Sequence, residues 1–91
     1  MSQEKQKVSV ALKKAHTLLG KILRMIEEEK YCIHIIQQNL AVIGLLKSAN
    51  LDLLQGHLNG CVKNAIKAQD TRKIDEMMAE LLMIMKTAQN K

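Results

Sequence analysis

An all-α fold is predicted by three features of this sequence. Its apolar residues recur at helical spacing over long stretches, proline is absent, and only 4 glycines interrupt 91 residues. Stretches broken by neither residue form long helices with few tight turns. The apolar content of 47% is almost wholly aliphatic, with no Phe, no Trp and Tyr31 as the lone aromatic. A chain of this length is expected to form one domain, residues 1–91. It is small enough that association of copies would help complete a core.

Three helical segments follow in order. The first is expected from about residue 6 to 28, where Val8, Ala11, Leu12, Ala15, Leu18, Leu19, Ile22, Met25 and Ile26 make one broad apolar face. Lys7, Lys14 and Lys21 run up its edge at heptad spacing, joined by Lys13 and Arg24. Glu27, Glu28 and Glu29 close it, because acids at a helix C-terminus oppose the helix dipole. The second segment is expected from about Tyr31 to Ala68, with Gln69-Asp70 marking a turn, and the third from about 71 to 88. On the third, Ile74, Met77, Met78, Leu81, Leu82 and Met85 share a face. Within the second, Ser48 or Asn50 is able to cap a new helix and fold it into a hairpin. A continuous rod is preferred, because Lys47-Ser-Ala-Asn50 lacks the Gly or Pro of a tight turn.

The formal charge of +5 is concentrated at the start, where Lys5, Lys7, Lys13, Lys14, Lys21 and Arg24 face only Glu4. That imbalance suggests an anionic partner, nucleic acid before membrane. The longest apolar runs, such as LAVIGLL, are far too short for a bilayer, and MSQEKQKVSV has no secretory core. A cytoplasmic chain is expected to hold its two cysteines as thiols. No catalytic constellation is visible: no nucleophile with a placed base, no paired acids in a plausible cleft, no phosphate-binding glycine loop. A non-enzymatic protein with no small-molecule substrate and no membrane partner is expected.

The residues that carry chemistry are Cys32, His57 and Cys61. His57 and Cys61 are four apart, hence one turn apart on one helical face. Cys32 lies 25 residues before His57, roughly 37 Å along a continuous helix. Counting about 100° per residue, Cys32, Ile36, Asn39, Ile43, Leu46, Asn50, His57 and Cys61 fall on one stripe. Two such helices packed antiparallel would set Cys32 of one chain beside His57 and Cys61 of the other. A hairpin would instead bring Cys32 near Cys61 within one chain. Two thiolates and an imidazole make a soft, low-coordinate set suited to Cu(I), with Zn(II) the competitor if a fourth ligand is found.

RMIEEEKYC, the LAVIGLL stretch and HLNGC with Val62 following resemble the copper-sensitive operon repressor (CsoR) family of bacterial metal- and thiol-responsive repressors. The resemblance runs over roughly residues 11–85. It implies an all-α dimer in which antiparallel long second helices form a four-helix bundle, with dimers pairing into a tetramer. It also implies binding to double-stranded operator DNA and one Cu(I) site per subunit, Cys32 from one chain and His57 and Cys61 from its partner. Tyr31, just before the first ligand, and Glu76 in the third segment match groups that hydrogen-bond around the ligand histidine in relatives. Such groups fix the imidazole tautomer and raise its basicity. Glu76 matches only if residues 67–73 are one shorter than usual; otherwise Met77 takes its place.

The chain departs from that family in its basic residues. Ala11, Lys14, Thr17 and Leu18 stand where relatives carry paired arginines and a Gly-Gln, and Ile43 replaces a basic residue of the second helix. Lysine serves at phosphates but lacks arginine's bidentate fork, which leaves Lys13, Lys14, Lys21 and Arg24 as the DNA-binding candidates. Two further readings stay open. One is a sensor of persulfide, electrophile or oxidant through Cys32 and Cys61. The other is a metal-binding assembly protein that has lost DNA binding.

Overall fold

A computed structural model of the chain describes residues 2–89. Four α-helices follow in order: α1 (Ser2–Glu27), α2 (Cys32–His57), α3 (Lys63–Lys67) and α4 (Thr71–Gln89). A single π turn, Leu58–Val62, joins α2 to α3. The second expected segment is therefore α2, the π turn and α3 taken together. Helix α1 begins four residues earlier than the apolar pattern suggested. Helix α2 passes through Lys47–Asn50 without a break, which removes the hairpin alternative. Without Gly or Pro, that stretch keeps its helical hydrogen bonds.

Both turns between helices are built alike. After α1, the N–H of Lys30 donates to the Met25 carbonyl (2.9 Å) and that of Glu29 to the Ile26 carbonyl (3.1 Å). After α3, Asp70 donates to Ala65 (3.1 Å) and Gln69 to Ile66 (3.0 Å). These paired bonds form a Schellman motif, which needs a left-handed residue at its hinge. Glu29 (φ 54°) and Gln69 (φ 53°) fill that position in place of glycine. Asp70 then caps α4, its Oδ1 accepting from the Lys73 N–H at 3.1 Å.

The chain packs as two compact units, Met1–Gly56 and His57–Lys91. In the first, Ala15, Ile22 and Val42 form a buried core flanked by half-buried Leu18, Ile35 and Leu45. The inward residues keep a seven-residue period: Val8, Ala15 and Ile22 with Ala11, Leu18 and Met25 on α1, and Ile35, Val42, Ala49 and Gly56 with Gln38, Leu45 and Asp52 on α2. That is the seam of a coiled coil. In the second unit, Ala65 and Met77 are buried, with Val62, Ile74 and Leu81 half-buried beside them.

The broad apolar face expected of α1 divides in two. Its seam residues pack inside the chain, whereas Leu12, Leu19 and Ile26 stay exposed. On α4 likewise, Ile74, Met77 and Leu81 turn inward while Met78, Leu82 and Met85 do not. Helix α2 is apolar on nearly all sides; such a helix is stable where neighbours cover every face, and one chain covers only the seam.

Candidate metal and nucleic-acid surfaces

Cys32 is the first residue of α2 and His57 its last. At about 1.5 Å per residue, the ends of a helix of this length stand roughly 40 Å apart. Tyr31 closes the N-terminus, its carbonyl accepting from the N–H groups of His34 (3.0 Å) and Ile35 (3.3 Å). Cys32 and Cys61 are both free and exposed, while His57 is half-buried. Among the described residues, no three His, Cys, Asp or Glu side chains of the single chain converge as a metal-binding group.

The stripe that bears these residues on α2 is the one the α1 seam does not use. Ile36, Ile43 and Leu46 along it are 50%, 47% and 41% exposed, and Asn39 and Asn50 are exposed as well. Around a helix of this period, the stripe and the seam residues Val42 and Ala49 occupy different faces. A row of three aliphatic and two amide side chains, with a thiol at its head, thus lies open along α2 from Cys32 to Asn50.

Cys61 sits inside the π turn, a feature that the sequence pattern did not announce. His57 is its N-cap, with φ −63° and ψ −45°. The extra residue loosens the helical turn between His57 and Cys61, and turns of this kind recur at functional sites. The only hint in the sequence is Gly60, one of the few glycines; a Cβ there would meet nothing within 4 Å. Space therefore does not demand glycine at Gly60; its looser backbone suits an irregular turn.

Tyr31 is 64% exposed and its ring meets His34 edge-on, with centroids 5.5 Å apart and planes at 89°. Glu76 is exposed and paired with Arg72, Nε to Oε1 at 3.6 Å across one helical turn. Such an exposed pair contributes about 0.3–0.5 kcal/mol and leaves the carboxylate free to exchange partners. Met77, the other residue considered for that position, is buried.

The basic residues of α1 gather along two adjoining grooves. Lys13, Lys14, Thr17, Lys21 and Arg24 line one of about 570 Å³ over Leu18 and Leu45. Lys14 also lines the next, of about 700 Å³, with Lys7, Ser48 and Asp52. The four residues expected to meet DNA are thus brought together on one surface, and Lys7 joins them. The heptad row Lys7–Lys14–Lys21 was the signal for that addition.

No helix among the described residues is long and apolar enough to cross a membrane. Residues 4–86 match the family model described as metal-sensitive transcriptional repressor. The chain is 34% identical over 85 residues to the copper-sensing transcriptional repressor CsoR of Bacillus subtilis, covering 93% of this chain and 81% of that one. It is 40% identical over 65 residues to the copper-sensing transcriptional repressor RicR of Mycobacterium tuberculosis, 71% of this chain and 68% of the relative. A copper-sensing CsoR of Mycobacterium ulcerans is 32% identical over 79 residues, 86% and 68% of the two chains. No solved structure matches.

Proposed function

The chain belongs to the metal-sensitive transcriptional repressor family, and from that premise we propose that it is a cytoplasmic Cu(I)-responsive repressor that releases operator DNA when copper binds. The observation that carries the reading is the open stripe of α2. An aliphatic face long enough to take an antiparallel copy of itself has Cys32 at one end and His57, followed by Cys61, at the other.

Antiparallel pairing of two α2 helices lays Cys32 of one subunit against His57 and Cys61 of its partner, so each dimer holds two sites. Ile36, Ile43 and Leu46 become the dry contact between them. Each such side chain is already about half covered, so burying the rest stabilises the pair by about 0.7–1.5 kcal/mol. The exposed residues left on α1 and α4 suit the further pairing of dimers into a tetramer. The chain works as a single domain, residues 1–91, completed by its copies.

Two thiolates and one imidazole favour Cu(I) over harder ions, and Zn(II) needs a fourth donor. The second imidazole nitrogen of His57 bonds to the groups supplied by Tyr31 and Glu76, which ties α4 to the site. Lys13, Lys14, Lys21 and Arg24 contact phosphates of double-stranded DNA. Metal and DNA then oppose each other through a coupling free energy of about 1–3 kcal/mol, equal in both directions. Relatives named as copper-sensing repressors favour this reading over a thiol sensor, in which His57 has no required task.

The test uses mixed subunits. Chains carrying Cys32→Ala and chains carrying His57→Ala/Cys61→Ala are mixed, and Cu(I) binding and DNA release are measured. Each mutant alone binds Cu(I) poorly, and the mixture recovers a fraction of intact sites. No recovery at any mixing ratio would overturn the intersubunit site.

A further inference from the structure

We propose that Asp52 is a built-in counter-charge that holds down the affinity of the basic ridge on α1 for polyanions, an inference that rests on the DNA-binding reading above. Asp52 is the sole acid of α2 and stands half-buried in the seam with α1. Seam positions favour apolar side chains, and a polar one there costs stability. A carboxylate half-buried beside a row of lysines invites a functional reason.

On α1, Lys7, Lys14 and Lys21 each precede a buried seam residue, Val8, Ala15 and Ile22. The three lysines therefore form one row along the edge of the seam. Asp52 shares its groove with Lys7 and Lys14, and Lys14 continues into the groove of Lys13, Lys21 and Arg24. Among the described residues, Asp52 is the one carboxylate on the walls of these two grooves. Its charge acts across the groove rather than through a fixed ion pair, since the pairs among the described residues are Lys30–Glu28 and Arg72–Glu76.

An anion beside these lysines lowers the positive potential that an incoming phosphate meets. It also neutralises part of the charge that would otherwise displace counterions from DNA, so it flattens the dependence of binding on salt. Repression by such a surface is easier to reverse, because the effector has less binding free energy to overcome.

The experiment compares the parent with Asp52→Asn, Asp52→Lys, Lys7→Ala/Lys14→Ala, and the triple variant that adds Asp52→Asn to the lysine pair. Binding to a labelled duplex from the chain's own upstream region is followed against salt, and elution from immobilised heparin is measured in parallel. Asp52→Asn is expected to bind about threefold more tightly per chain at low salt, with a steeper salt slope, and to leave heparin at higher salt. Asp52→Lys exceeds it. In the lysine-pair background the gain is smaller, because phosphates are drawn less closely to Asp52. Elution of Asp52→Asn at the parental salt concentration, or an undiminished gain without Lys7 and Lys14, would overturn the proposal. If no variant binds the duplex, the DNA-binding reading fails, and the heparin series still decides for or against Asp52.

Discussion

The ring of Tyr31 meets the ring of His34 edge-on, with centroids 5.5 Å apart and planes at 89°. The contact spans the first turn of α2 and holds Tyr31 beside Cys32 through its ring, so its hydroxyl is left for another partner. Tyr31→Phe keeps the ring pair and removes only the hydroxyl; Glu76→Ala removes a carboxylate now shared with Arg72. Both variants are expected to lose no more than about tenfold in Cu(I) affinity, the low end of the roughly 10–100-fold that such supporting groups contribute, yet lose most of the coupling of about 1–3 kcal/mol between metal and DNA. The check is DNA affinity with and without one Cu(I) per subunit. A full metal-induced drop in both variants would place the coupling in the cysteines alone.

Ligand loss should follow donor softness. Cys32→Ala and Cys61→Ala are expected to weaken Cu(I) binding by more than the roughly 10–100-fold that loss of a supporting group costs, and His57→Ala by less than either. Competition with a Cu(I) chelator measures the order. Parental affinity in both cysteine variants would remove Cys32 and Cys61 from the site.

The basic ridge makes a salt-dependence prediction. Lys14→Ala and Arg24→Ala should each lower the slope of log affinity against log salt by about one unit for every phosphate that the variant no longer neutralises. Anisotropy titrations from low to moderate salt measure it. A flat response in the parent would favour an assembly protein without DNA binding.

Two hinges carry strain that glycine relieves. Glu29 and Gln69 hold left-handed backbone at the ends of α1 and α3. That conformation costs a non-glycine residue about 1–2 kcal/mol, partly offset by the greater freedom glycine has when unfolded. Glu29→Gly and Gln69→Gly should each stabilise the protein by roughly 0.5–1 kcal/mol, read from denaturant midpoints. Lower midpoints in both would mean that their side chains contribute more than the backbone loses.

Helix identity and order were legible in the sequence because they rest on local physics: apolar spacing, absent proline, and the acids and polar pair at Glu27–Glu29 and Gln69-Asp70. The row from Cys32 to Asn50 on α2 was legible for the same reason, since position around a regular helix is arithmetic; the π turn ends that count before Cys61. Tertiary structure alone decided which half of each apolar face the chain consumes. Val8, Ala15 and Ile22 turn inward while Leu12, Leu19 and Ile26 do not, although all six are apolar. That choice depends on how closely α1 approaches α2, where small Ala15 and Ala49 admit the approach, and no local signal encodes it. The π turn around Cys61 had no sequence signal beyond Gly60, and packing also drew Asp52 into the groove of Lys7 and Lys14. Residues 38 to 45 apart in sequence meet there only because the helices pack.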